Sequence, residues 1–208
     1  MTDVWEIVHK ERMALIQDLE GVPTSKWTTP SLCPGWDVHD VLAHLVADAK
    51  TTKLGFIRDM LKARFNFDRA NEMGITAEKR KDPTHTLAAL TAVKDRTTSA
   101  PAPLVTRLVE VIVHGEDIRR PLGLKHQYPV DAVILALKYQ LKTGVGMGGG
   151  KERANGLRLV ATDTDFVHGE GAEVRGSTLS LLLAVSGRPF AAEELAGEGA
   201  TSLLTAAS

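Results

Sequence analysis

Glu110 and His114 stand four residues apart inside the run Glu110-Val111-Ile112-Val113-His114. If that run is helical, both side chains lie on one face, one turn apart. A carboxylate and an imidazole so placed can hold one metal ion from one side. A third ligand from a neighbouring helix would complete the set and leave a coordination position open, as a catalytic zinc site requires. His44, in Asp37-Val38-His39-Asp40-Val41-Leu42-Ala43-His44-Leu45, is the candidate for that third ligand. The spacing has a second reading, because Glu-x-x-x-His also occurs in solvated polar stripes that bind nothing.

The two segments behave alike. Around Glu110, the residues Leu104, Val105, Leu108, Val109, Val111, Ile112, Val113 and Ile118 cover a wide apolar arc. Thr106, Arg107, Glu110, His114 and Asp117 occupy the narrow remainder. Around His44, Val38, Val41, Leu42, Leu45, Val46 and Ala49 fill the broad arc, while Asp37, Asp40, His44, Asp48 and Thr51 align at helical spacing. Either both stripes face water, or they face each other across a cleft. In the second arrangement a metal would compensate for gathering a carboxylate and two imidazoles away from water. Asp48 and Asp117 would then be placed to hold the imidazole N–H groups.

The elements that must carry these residues are mostly helices. Trp5, Val8, Leu15, Ile16 and Leu19 recur at helical spacing up to Gly21. An irregular stretch from Val22 to Trp36 follows, punctuated by Pro23, Pro30, Pro34 and Gly35. Asp37 is the expected N-cap of the next helix, with Asp40 at the capping-box position, and the pattern carries that helix past Met60. The polar stretch from Asn66 to Lys81 reads as a loop or frayed helix end. Asp82-Pro83-Thr84 begins another helix, Pro101 and Pro103 precede the Glu110 helix, and a last one spans Asp131 to Lys142. The run from Gly144 to Gly150 reads as a linker, giving domains at 1–143 and 151–208. Beyond it, Leu157–Thr162, Asp165–His168 and Ala172–Gly176 read as strands. Ser177 caps a short apolar helix, Leu179 to Val185.

Composition sets outer limits. The chain has 208 residues, 43% of them hydrophobic and 25% charged, the balance of a globular protein. A net charge of −1 offers no general field for nucleic acid or an anionic membrane. No apolar run reaches the roughly 18 residues of a membrane span. The start lacks a signal-peptide pattern and the single cysteine, Cys33, cannot form an internal disulfide, so the expected home is the reducing cytoplasm. Cys33 precedes a helix whose positive end would favour a thiolate, but packing beside Trp36 is the simpler role. Trp27 and Trp36 read as packing residues, and His39 as a solvated side chain. His9, His85, His126 and His168 fall in unrelated segments of the sequence and receive no role. Arg119 and Arg120 either complement the end of their helix or bind an anion.

Two stretches carry a resemblance. Cys33-Pro34-Gly35-Trp36-Asp37-Val38-His39-Asp40-Val41-Leu42-Ala43-His44-Leu45 resembles the first signature of the DinB-like, mycothiol-dependent maleylpyruvate isomerase superfamily. Val109-Glu110-Val111-Ile112-Val113-His114-Gly115-Glu116-Asp117-Ile118-Arg119-Arg120-Pro121 resembles the second. The tail, with Gly169–Gly176 and Leu181–Arg188, is similar to the small C-terminal region of these proteins. The resemblance implies a mainly α fold: a DinB-like four-helix bundle with a small C-terminal α+β region. It implies a divalent metal, usually Zn²⁺, on His44, Glu110 and His114. It also implies the low-molecular-weight thiol mycothiol as cofactor and a small electrophilic substrate for isomerisation or S-transfer. The thiolate would add to an activated double bond, the bond would rotate, and elimination would return the thiol. A subgroup resembling the Glu116–Arg120 run is known as metal-binding proteins. A non-catalytic regulatory protein and a metal-dependent hydrolase therefore stand as alternatives, and no acid or base residue is assigned.

Overall fold

The computed structural model describes residues 3–189, 191 and 193–205. Contacts divide the chain into two units, residues 1–127 and 128–208.

The first unit is built on four helices: α1 (Val4–Leu19), α2 (Val38–Lys50), α5 (Pro83–Val93) and α6 (Thr106–Arg119). α1 packs on α5 and α6, and α2 packs on the same two, so each helix has two neighbours in a four-helix bundle. The apolar spacing of α2 explains its position. Val38, Val41, Leu42, Leu45, Val46 and Ala49 are all buried and meet Leu15, Ile16, Leu19, Leu90, Val93 and Ile118 in one core. Each fully buried Val or Leu in that core contributes about 1.5–3 kcal/mol of transfer free energy.

α2 starts as its sequence indicates. Asp37 accepts the Asp40 backbone N–H at 2.7 Å, and Asp40 accepts that of Asp37 at 3.1 Å. It stops sooner than the pattern suggested. Thr51 leaves the helical region at ψ 126° and returns its hydroxyl to the Ala47 carbonyl at 2.9 Å. Thr52 then caps a separate helix, α3 (Lys53–Lys62), by accepting the Gly55 N–H at 3.0 Å. Threonine side chains compete for backbone groups, which is how two in succession end one helix and start another. The stretch read as a loop after Asn66 is also helical: α4 runs Phe67–Glu78, capped by the Asn66 side chain on the Arg69 N–H at 2.9 Å. Its polar sequence hid it, because only Ile75 is buried, yet α4 packs along α2.

The second unit begins with α7 (Val130–Gln140). Its sheet has strand order β2-β1-β3-β4, with β1 (Leu157–Ala161), β2 (Val167–His168), β3 (Ala172–Gly176) and β4 (Leu195–Ala196). β1 and β3 run parallel in the centre, with Leu159 opposite Val174, and the two outer strands are antiparallel. α8 (Thr178–Val185), capped by Ser177, packs on β1, β3 and α7, and α9 (Ala200–Thr205) is the last element among the described residues. β4 and α9 had no counterpart in the sequence reading.

The division between units falls before α7, not at the glycine run. That run is a bonded turn inside the second unit. The Gly150 N–H donates to the Gln140 carbonyl at 2.9 Å, and the Gln140 amide reaches the Gly148 carbonyl and Ser186 Oγ. Gly149 and Gly150 are buried so closely that a Cβ on Gly150 would lie 2.1 Å from the Val185 carbonyl oxygen. Here glycine answers a packing constraint, and a composition-based linker assignment has no way to register it.

Candidate metal centre

The site lies within the first unit and draws on α2, α6 and the loop before α2. That loop is set by local chemistry. Trp36 N–H donates to the Cys33 carbonyl at 3.2 Å across Pro34-Gly35, and Gly35 sits at φ 81°. Proline followed by a left-handed glycine is the type II turn pattern. Ser31 Oγ donates to the Trp36 carbonyl at 2.8 Å and accepts the Cys33 N–H at 3.1 Å, which fixes the loop from inside. Trp36 is thereby held against the site, its ring centroid 5.2 Å from that of His44 and 6.3 Å from that of His114.

His44 projects from α2, and Glu110 and His114 project from α6. One carboxylate oxygen serves both imidazoles: Glu110 Oε2 lies 3.2 Å from His44 Nε2 and 3.3 Å from His114 Nε2. The three donor atoms lie within 4.8 Å of one another, and the two imidazole centroids are 4.7 Å apart. The donor set tests well against a metal. Ligands held tetrahedrally at about 2.0–2.1 Å from an ion stand roughly 3.3–3.4 Å apart, close to the two carboxylate–imidazole distances. Two imidazoles and one carboxylate also match the three-ligand set of open catalytic sites.

The second partner of His114 is Asp117. The carboxylate is fully buried, and His114 Nδ1–H donates to its Oδ2 at 2.8 Å. That bond leaves Nε2 to face Glu110. Burial alone would push the His114 imidazole down, but the bonds to Asp117 and Glu110 outweigh it and raise its pKa to about 9. Burial likewise works to raise the Glu110 carboxyl, and hydrogen bonds from His114 and His44 reverse this, holding it well below the usual range. The cluster thus keeps its carboxylate charged.

The two stripes point inward, and their members divide. Asp117 reaches its imidazole, whereas Asp48 does not serve one. Asp48 pairs with Arg107, itself 4% exposed. The expected holding role of Asp48 gives way because a buried guanidinium one turn before Glu110 needs a counter-ion. His39 is buried rather than solvated. Its Nε2 lies 2.8 Å from Thr86 Oγ1 and its ring meets Trp27 edge-on, since five residues from His44 turns it toward α5. Arg119 is also buried, with Nε donating to Asp18 on α1 at 2.7 Å, and Arg120 donates to Glu116 at 2.8 Å. His126, given no role, pairs with the buried Glu11 at 2.7 Å. Trp27 is a core residue, while Trp36 belongs to the site as well as to packing. Its place beside the imidazoles depends on the turn at Pro34-Gly35, so no helical spacing pointed to it.

Comparison with known proteins gives two findings. The family model for the mycothiol maleylpyruvate isomerase N-terminal domain matches residues 8–104. This stretch includes His44 and ends before Glu110 and His114. Among solved structures, the chain is similar to the crystal structure of the mycothiol-dependent maleylpyruvate isomerase, at 18% identity with a TM-score of 0.61, over 95% of this chain and 96% of that one. It is equally similar to a histidine-to-alanine mutant of that enzyme, at 17% identity and the same TM-score and coverage. At such identity the likeness speaks for the fold. No curated protein matches the sequence. Among the described residues, no helix is long and apolar enough to cross a membrane.

Proposed function

We propose that the chain belongs to the mycothiol-dependent maleylpyruvate isomerase superfamily, whose N-terminal domain model matches its residues 8–104, and that it is a metal-dependent, thiol-using isomerase or S-transferase. The observation that carries this reading is the donor triangle: one carboxylate oxygen flanked by two imidazole nitrogens at 3.2 and 3.3 Å. His44, Glu110 and His114 would hold a divalent ion of the zinc type. Such an ion supplies a Lewis acid that lowers the pKa of a thiol in its open position, so that the thiolate forms near neutral pH.

The residues of the chain have separate tasks. Asp117 holds the Nδ1 proton of His114, so that Nε2 is the nitrogen that would face an ion once its own proton is displaced. The Glu110 charge would offset part of the charge of a bound ion. Trp36 covers one side of the imidazoles, excludes water there and restricts their rotation. The cofactor is a mycothiol-like small thiol, and the substrate carries an electrophilic carbon such as an activated double bond.

Metal analysis of the purified protein, followed by thiol titration of its cobalt form, tests the reading. A thiol-dependent change in the cobalt absorption bands, lost in Glu110→Gln, is the expected result. Stoichiometric cobalt binding with no response to any thiol would replace the thiol enzyme with a metal-binding protein or a hydrolase. No metal binding at all would remove the centre itself.

A further inference from the structure

α3 has two apolar faces, and only one is covered. At 100° per residue, Phe56 and Met60 fall on one side, and Met60 is buried. Leu54, Ile57 and Leu61 fall together on another, and they are 81%, 51% and 57% exposed. Just past the helix, Phe65 is 71% exposed. It is held outward by a chain reversal in which Arg64 and Phe65 both take left-handed backbone angles, φ 56° and 60°. Consecutive left-handed residues other than glycine cost about 1–2 kcal/mol each, so the reversal is not the relaxed choice of this sequence. Phe67, 38% exposed, lies at a tilt to Phe56 with ring centroids 6.1 Å apart and continues the patch. Together these side chains present roughly 500 Å² of apolar surface, at the upper end of what monomers leave open.

The charges that border the stripe on α3 are basic. Lys53 borders one edge, and Arg58 and Lys62 border the other, with Arg64 beyond the helix end. The one acid between Lys53 and Phe67 is Asp59, and it is engaged by Arg58 at 2.8 and 3.1 Å. The chain's net charge of −1 conceals this local basic edge.

We propose that α3 and the Phe65 turn form a peripheral docking surface for an anionic lipid membrane. Leu54, Ile57, Leu61 and Phe65 enter the acyl boundary, while Lys53, Arg58, Lys62 and Arg64 meet the headgroup charges. A basic rim on both edges of an exposed aliphatic stripe is the pattern of helices that lie in the plane of a bilayer surface. A symmetric dimer through this face would set the same basic rim against itself, which favours an anionic surface as the occupant. The surface is independent of the metal centre.

Co-sedimentation of the full chain with vesicles tests this. One set is phosphatidylcholine alone; the other is phosphatidylcholine with an equal part of phosphatidylglycerol. The protein should pellet with the anionic vesicles, not with the neutral ones, and salt should weaken binding by screening. The double variant Leu54→Ser, Leu61→Ser should bind at least about tenfold more weakly, given what each buried leucine contributes. Both positions are exposed, so folding is retained and circular dichroism checks it. Absence of binding to the anionic vesicles overturns the proposal, as does equal binding by the double variant. Lipid-free dimerisation that the variant abolishes, without vesicle binding, would assign the face to a second copy instead.

Discussion

Replacing Asp117 by Asn should weaken metal binding by an amount that depends strongly on pH. In the metal-free protein the His114 pKa stands at about 9, with Asp117 the leading hydrogen-bond partner raising it. An ion must displace that proton. At about pH 7, two units below the pKa, this costs the native protein roughly 100-fold in apparent affinity relative to a pH above 9. Above pH 9 the proton is gone, and the carboxylate then helps: it makes the ligand more basic and holds the tautomer. Loss of such a partner typically costs 10–100-fold in affinity. Asp117→Asn removes both effects. The full deficit, about 10–100-fold, should appear at about pH 9.5. Near pH 7 it should shrink, because the variant's imidazole is held protonated less firmly, by Glu110 alone, and the ion meets less competition. Chelator-buffered zinc titrations at the two pH values measure this, and ¹H NMR of the His114 ring reads its pKa directly. A deficit equal at both pH values, or a native His114 titrating near 6.5, would refute the reasoning.

The same shift makes a stability prediction for the metal-free protein. A folded pKa of about 9 against an unfolded value near 6.5 stabilises fully below the unfolded pKa and is lost as pH rises through 9. The loss is at most about 3 kcal/mol, read from urea midpoints between about pH 6 and pH 10, and it should vanish in His114→Ala. His44→Ala should abolish tight zinc binding yet leave cooperative unfolding intact, since α2 keeps its apolar face; calorimetry showing collapse of the bundle would make the centre structural. Leu42→Ala, in the middle of that face and fully buried, should cost about 2–5 kcal/mol in urea unfolding. Gly150→Ala should destabilise the second unit by about 1–3 kcal/mol, because its Cβ meets the Val185 carbonyl, and limited proteolysis should cut first between Leu124 and Pro129 rather than in the glycine run.

Much of the frame was legible in the chain itself. The period of Val38, Val41, Leu42, Leu45, Val46 and Ala49 specifies a helix and its buried face. Asp37 with Asp40 fixes where that helix starts, and Asp82-Pro83 does the same for α5. Glu110 and His114 share a face because the helix repeat puts them there. These are local facts, set by residues within a turn or two of each other.

What the chain left open was every relation between elements distant in sequence. Whether the two polar stripes faced water or each other depended on how α2 and α6 pack, and only that packing brings His44 to 3.2 Å from Glu110. Asp48 and Asp117 looked equivalent in their stripes. The buried Arg107 claimed one and His114 the other, a choice decided by which charge lay nearest in space. Trp36 came to the imidazoles through a turn, and α4 was hidden because a helix that buries one residue carries little periodic signal. The glycine run has the composition of a tether, but a neighbouring carbonyl lies where a Cβ would be. Periodicity and capping are short-range energies that a sequence displays residue by residue. Charge pairing, ligand convergence and steric exclusion act between segments, and they acquire values only when the chain has folded.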